Sequence, residues 1–439
     1  MEFKRDKYLK ELVERQGNHL IKIITGIRRS GKSYLLNSIF YNYLINSGVK
    51  SNQIIRFAFD SEEDIHRLDE FNPSEQTIIK KRGQEYINSI KFISFITKNT
   101  KRKTNYYLLL DEIQLLDRFE SVLNSLLRND KYDIYVTGSN SKFLSTDIIT
   151  EFSGRGDEIH LLPLSFSEYL SGVDIDEEKA FQEYIYYGGL PLVQLKKNDS
   201  QKMSELNNTK TNVYLSDILK RHHIDNENNL MDTLRVIASS VGSPINPTRI
   251  ENTFNSIFKT KLTNDTISNY IKWAEESFLI KKVLRYDLQG RGYIGSPFKI
   301  YFEDVGLKNS LLDFREIDET DIFENIIYNE LRYRGYLVDV GVVEVSEKTN
   351  RKDKNGKTIY EKKQLEIDFV ANRLSEKIYV QPALTIPNLE KEEQEKRPYK
   401  NINDSFTKII VVKDKIKKHR SREGIVLISI YDFIKDKEW

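Results

Sequence analysis

The sequence predicts a multidomain α/β protein built around a phosphate-binding loop on a parallel sheet, and three apolar strands, each ending in a polar motif, predict it. The first, residues 19–25, runs into Gly26-Ile27-Arg28-Arg29-Ser30-Gly31-Lys32-Ser33, and residues 34–40 then begin an apolar-periodic helix. Strand, loop and helix in that order are the setting such a loop needs. Gly26 and Gly31 let the backbone curl so that its N–H groups face a polyphosphate at the positive end of the helix. The binding set is therefore Gly26, Ile27, Arg28, Arg29, Ser30, Gly31, Lys32, Ser33 and Tyr34. Lys32 is placed to reach the outer phosphates and Ser33 to hold Mg²⁺.

The second strand, residues 106–110, is apolar throughout, as a central strand should be, and delivers Asp111 and Glu112. Asp111 suits Mg²⁺ through its water shell, and Glu112 suits orienting and polarising the attacking water. An acidic N-cap for the helix that follows is the other reading of this pair. The third strand, residues 133–137, ends in Gly138-Ser139-Asn140. Asn140 or Ser139 is a candidate sensor of the γ-phosphate, against a plain turn. Arg155, in Ser153-Gly154-Arg155-Gly156, is a candidate arginine finger acting on a neighbouring subunit.

Taken in order, these motifs resemble the prokaryotic AAA+ ATPases that carry a C-terminal domain of unknown function. The resemblance is carried by residues 26–33, Leu-Leu-Leu-Asp-Glu-Ile-Gln at 108–114, Thr-Gly-Ser-Asn at 137–140 and Ser-Gly-Arg at 153–155. Pro-Leu-Ser-Phe-Ser-Glu-Tyr at 163–169 and Gly-Gly-Leu-Pro at 188–191 extend it. It implies an AAA+ P-loop sheet, a helical lid, a winged helix-turn-helix and a degenerate restriction-endonuclease-like domain. It also implies ATP and Mg²⁺ as cofactors, a ring or helical homo-oligomer, and Arg155 at the finger position.

Composition bounds the rest. A chain of 439 residues is long enough for several cores. Lys and Arg total 68 against 66 Asp and Glu, so any nucleic-acid contact must be a local patch, with 98–103 and 413–422 as basic clusters. The absence of cysteine excludes disulfides and thiolate metal sites. No signal core or membrane-length apolar run is present, which predicts a cytoplasmic protein without membrane contact.

The expected divisions are 1–164 for the ATPase core, 165–227 for the lid, 228–315 for the winged module and 316–439 for the nuclease-like domain. Gly188 and Gly189, read from the residues alone, are a helix C-cap. In the winged module, Asn269 and Lys272 on the third helix and Arg291 at the wing tip are the DNA-binding candidates, against a module used for protein packing. In the last part, Glu324 on a helix and Asp368 and Gln381 on strands form a degenerate metal site, with Asn355-Gly356 as a hairpin tip. Where such nucleases carry Glu-x-Lys, this chain has Gln381-Pro382-Ala383, so a metal-bound water is expected to lack the cationic partner that would stabilise hydroxide. The leading function is a DNA-associated ATPase, branched DNA included. A signalling switch acting on a protein partner is second, and an ATP-dependent nuclease third.

Overall fold

The computed structural model describes residues 2–439 except 82, 139–151, 153, 225, 259–261, 316, 353–357 and 437–438. The chain forms two compact units, Glu2–Pro163 and Leu164–Trp439. Ser139 and Asn140, and the Asn355-Gly356 tip, lie outside the described residues.

In the first unit β1 (Ile21–Thr25), β2 (Ile54–Ala58), β5 (Tyr106–Asp111), β6 (Tyr132–Thr137) and β7 (Gly156–His160) form a parallel sheet in the order β2-β5-β6-β1-β7. A hairpin of β3 (Ile78–Lys81) and β4 (Gln84–Ile87) stands apart from it. Helices cover both faces, so the central strands read as unbroken apolar runs and not as alternations. Leu108, Leu109, Leu110, Ile134, Val136 and Ile24 are fully buried. Each such side chain contributes about 2 kcal/mol through its removal from water. Because all strands run the same way, the C-terminal ends of β1, β6 and β5 meet at one edge.

The second unit begins with helices and ends in a mixed sheet. Its strands are β8 (Ile280–Asp287), β9 (Gly292–Phe302), β10 (Leu337–Lys352), β11 (Thr358–Arg373), β12 (Glu376–Ala383), β13 (Thr407–Val412), β14 (His419–Arg420) and β15 (Val426–Ser429). They form an eight-stranded sheet in the order β14-β15-β13-β12-β11-β10-β8-β9. The hairpin β8-β9 follows three helices, Glu227–Ala238, Pro247–Thr253 and Asn264–Glu276. Val340, Gly341 and Val342 of β10 pair in parallel with Arg285, Tyr286 and Asp287 of β8. The division expected between residues 315 and 316 therefore crosses a continuous sheet.

The Gly-Gly-Leu-Pro motif gains a physical reason here. Gly188 caps the helix Glu177–Tyr187 at φ 70°, its N–H bonded to the Tyr184 carbonyl at 2.9 Å. A β-carbon at Gly188 would stand 2.4 Å from the Asp304 carboxylate. That carboxylate accepts N–H bonds from Gly189 at 2.7 Å and Leu307 at 2.9 Å, and also from Gly306 and Leu190. Burial raises Asp304 to about 6 despite these donors. Asn309 adds bonds to the carbonyls of Ile185 and Tyr186 at 2.9 and 3.0 Å. Helix Glu177–Tyr187, inside the segment expected as a lid, is thus tied to the helix Val305–Leu311.

Two predictions follow from this packing. Asp304→Ala would leave several buried donors without an acceptor, so the second unit should lose about 3 kcal/mol or more of unfolding free energy by denaturant titration of the full chain. An undiminished midpoint would refute the clamp. His222 stacks on Trp273 with ring centroids 4.1 Å apart, and burial first, then Arg221, Lys272 and His223, lowers its pKa to about 4. Its folded pKa lies below the ordinary value near 6.5, so its contribution is intact above about pH 6.5 and fades as pH falls toward 4. The unfolding free energy of wild type relative to His222→Phe should fall over that window and stay flat above it.

Candidate nucleotide-binding site

The loop leaves β1 with the backbone turns the sequence requires. Gly26 has φ 134°, and a β-carbon there would stand 2.2 Å from the Leu161 carbonyl oxygen. Gly31, at φ 97°, precedes the helix that begins at Lys32. Inside the loop, Lys32 Nζ donates to the carbonyls of Gly26 and Ile27 at 2.9 and 3.0 Å. Ser30 is fully buried, and its Oγ has no hydrogen-bond partner among the described residues. Arg5 braces the loop from outside by donating to the carbonyls of Ser30 and Leu162. Ile27 is buried, Arg28 half-buried, and Arg29, Ser33 and Tyr34 exposed, the Tyr34 hydroxyl lying 3.1 Å from Glu2.

Beside the loop, Asp111 is the centre of a polar knot. Thr137 Oγ1 donates to Asp111 Oδ1, Asn37 Nδ2 donates to Oδ2 at 3.1 Å, and Ser33 also bonds it. Burial raises the Asp111 pKa, the bonds from Thr137 and Ser33 oppose that rise, and Glu112 and Asp60 add to it. Glu112 follows at φ 52°, a left-handed conformation that costs a non-glycine residue of order 1 kcal/mol and recurs at functional sites. Its N–H donates to Thr137 Oγ1 at 3.2 Å, and Gln114 Nε2 donates to its Oε2. Glu112 makes no side-chain cap to the turn that follows. Asp60, after β2, has its pKa raised by burial and by Glu112.

The structure thus brings together Lys32, Ser33, Asp111 and Glu112, and adds Thr137, Asn37, Gln114 and Asp60, which the sequence reading left without roles. Asn37 was open to detection, since it stands one helical turn after Ser33. Arg155 lies elsewhere. Its carbonyl accepts from Ile21 N–H at the start of β1, and its guanidinium donates to Asn124 at 3.1 Å. It is a strand's length, roughly 16 Å, from the loop of its own chain.

Lys32, Ser33 and Asp111 fit a nucleotide with a divalent cation: the ammonium lies on the loop carbonyls, the hydroxyl bonds the carboxylate beside it, and the loop's buried Ser30 Oγ has no partner among the described residues. The C-terminal acids do not fit one. Lys299 of β9 donates to Glu324 at 3.0 Å and to Asp368 at 2.8 Å, and pairs with Glu366 at 2.6 Å. The ammonium among these acids comes from β9, outside the expected nuclease-like segment, and not from position 383. Among the described residues no group of acids or histidines is placed to hold a metal ion.

A family model described as an AAA domain matches residues 18–170, taking in the loop and both acids. An uncharacterised protein of Haemophilus influenzae is 31% identical over 435 residues, 98% of either chain. The chain belongs to this family of AAA-domain ATPases. A second model, a domain of unknown function (DUF8612), matches residues 178–318. That match lies C-terminal to the AAA domain, in the order the resemblance implied for a domain of unknown function. An uncharacterised protein of Methanocaldococcus jannaschii is 28% identical over 347 residues, 76% of this chain and 71% of its own. A Walker-type ATPase of Pyrococcus abyssi superposes on 71% of this chain and 96% of its own at 16% identity and a TM-score of 0.44. The AAA domain implies nucleotide binding. No helix among the described residues is long and apolar enough to cross a membrane.

Proposed function

We propose that the chain hydrolyses ATP with Mg²⁺ and uses the cycle to change an oligomer bound to DNA. The observation that carries the chemistry is the Thr137-Asp111-Ser33 knot beside the loop, because it fixes acid and hydroxyl on one side of the space that Lys32 faces. Lys32 exchanges its bonds to the Gly26 and Ile27 carbonyls for phosphate oxygens. Ser33, and Asp111 through the ion's water shell, would hold Mg²⁺, which would supply charge compensation at the outer phosphates. Glu112 orients the attacking water, with Gln114 holding one carboxylate oxygen and Thr137 holding the backbone N–H. Asn140 or Ser139, next in the sequence after this strand, keeps the proposed role of phosphate sensor.

The distance of Arg155 from its own loop supports a finger that serves a neighbouring subunit. Helices Glu227–Ala238, Pro247–Thr253 and Asn264–Glu276, the bridge from Ile245 to Phe298 and the β8-β9 hairpin follow the order of a winged helix-turn-helix. Asn269, Lys272 and Arg291 are exposed on its third helix and hairpin turn. Lys272 pairs with Glu276 at 3.8 Å, which favours, as the second reading, a switch that recognises a protein partner.

Turnover measurements test the ATPase reading. Lys32→Ala should lose nucleotide affinity, whereas Glu112→Gln should keep it and slow hydrolysis by at least two orders of magnitude, about 3 kcal/mol of barrier. Mixing Lys32→Ala with Arg155→Ala subunits should recover part of the activity. Wild-type turnover by Glu112→Gln, or no recovery from subunits that still assemble, would remove the corresponding role.

DNA binding is tested separately by titrating salt. Loss of Lys272 and Arg291 should weaken binding across sequences and flatten the log-log salt dependence by about one unit per lost phosphate contact. Unchanged affinity and slope would shift the reading to the protein-partner switch.

A further inference from the structure

The acids of the C-terminal sheet converge on one point, and that point is an ammonium. Lys299 Nζ stands 3.0 Å from Glu324 Oε1, 2.6 Å from Glu366 Oε1 and 2.8 Å from Asp368 Oδ1. Its side chain is only 2% exposed. Glu324 comes from the helix Glu319–Tyr333, and the other two acids from one face of β11. We propose that Lys299 is a resident cation standing where a divalent metal would otherwise sit, and that its three carboxylates become a divalent-cation site once the ammonium is withdrawn.

The surroundings support an occupied centre. The Tyr301 hydroxyl donates to Glu324 at 2.5 Å. Gln381 Nε2 donates to Asp368 Oδ2 at 2.5 Å, and its Oε1 accepts from the Asp368 N–H at 3.3 Å. A β-carbon at Gly242 would lie 3.0 Å from Glu324 Oε2, so backbone closes that side. Lys299 and Tyr301 are two apart on β9 and so share a face, which delivers both groups together. Burial favours the neutral amine, but Asp368, with Tyr301, Glu324 and Glu366, more than reverses this and holds the Lys299 pKa well above its ordinary value. The lysine is charged, and a second cation beside it is opposed by repulsion in a site that water does not screen.

The donor set is nevertheless a metal-like one. Oxygens 2.6–3.0 Å from a common point need only a sub-ångström contraction to meet the roughly 2.0–2.1 Å bonds of Mg²⁺. Position 383, where the nuclease pattern has lysine, is a buried alanine. The positive charge is carried instead by β9, where it bonds the carboxylates themselves. In this arrangement the centre joins three elements, β9, β11 and the helix Glu319–Tyr333, and has no vacancy for hydroxide-generating chemistry.

Mn²⁺ titration of the full-length protein without nucleotide, read by electron paramagnetic resonance of the free ion, tests this. Wild type and Asp368→Ala should bind Mn²⁺ alike. Lys299→Ala should gain a site at least tenfold tighter than anything in Lys299→Ala/Asp368→Ala, and Mn²⁺ should raise its melting temperature but not that of wild type. Should Lys299→Ala fail to fold, Lys299→Gln, which keeps length and a donor but not the charge, takes the same comparison. Two results overturn the proposal: wild-type Mn²⁺ binding or DNA cleavage that Asp368→Ala abolishes, or a folded Lys299 variant whose binding matches that of its Asp368→Ala double.

Discussion

Parallel pairing of β1 with β6, in one register, is the constraint on which the nucleotide site depends. Ile24 stands opposite Thr137, and Leu110 of β5 stands opposite Val136. Thr137 is therefore level with the last residues before the loop on one side and beside Asp111 on the other. A slip of a single residue would turn its hydroxyl to the opposite face. The hydroxyl bonds Asp111 and the Glu112 N–H together, so strand register and the geometry of the two acids are one fact here.

How much of this was legible in the sequence follows from how local each signal is. Residues 26–33 and 106–112 carry their own strand, turn and acid, and the structure realises them where the pattern puts them. Thr137 and Asp60 were hidden because their roles arise only when separate strands are laid side by side. Lys299 was hidden more deeply. In the sequence it is a lysine in a short apolar strand, which reads as an edge residue facing water, and nothing local shows that three acids from 324 to 368 will surround it. The continuity of β8 with β10 escaped for the same reason, since pairing between strands separated by another strand and two helices leaves no periodic trace.

The second unit handles buried charge in two ways. At Asp304 the compensation is backbone: four N–H groups around one carboxylate, made possible by glycines that allow the chain to approach. At Lys299 it is side chain: one ammonium among three acids. Both arrangements leave the charges costly to expose and costly to orphan, which makes each a fixed point of the packing.

The shared sheet has a mechanical consequence. The β8-β9 hairpin is bonded along β10 by parallel pairs at Val340, Gly341 and Val342 and pinned again through Lys299. A pull along the hairpin loads those backbone bonds in shear, all at once, whereas peeling from an edge would break them one by one. A displacement of the turn near Arg291 would therefore load β10 through those three pairs and β11 through Lys299, so the hairpin's two anchors resist it from different strands.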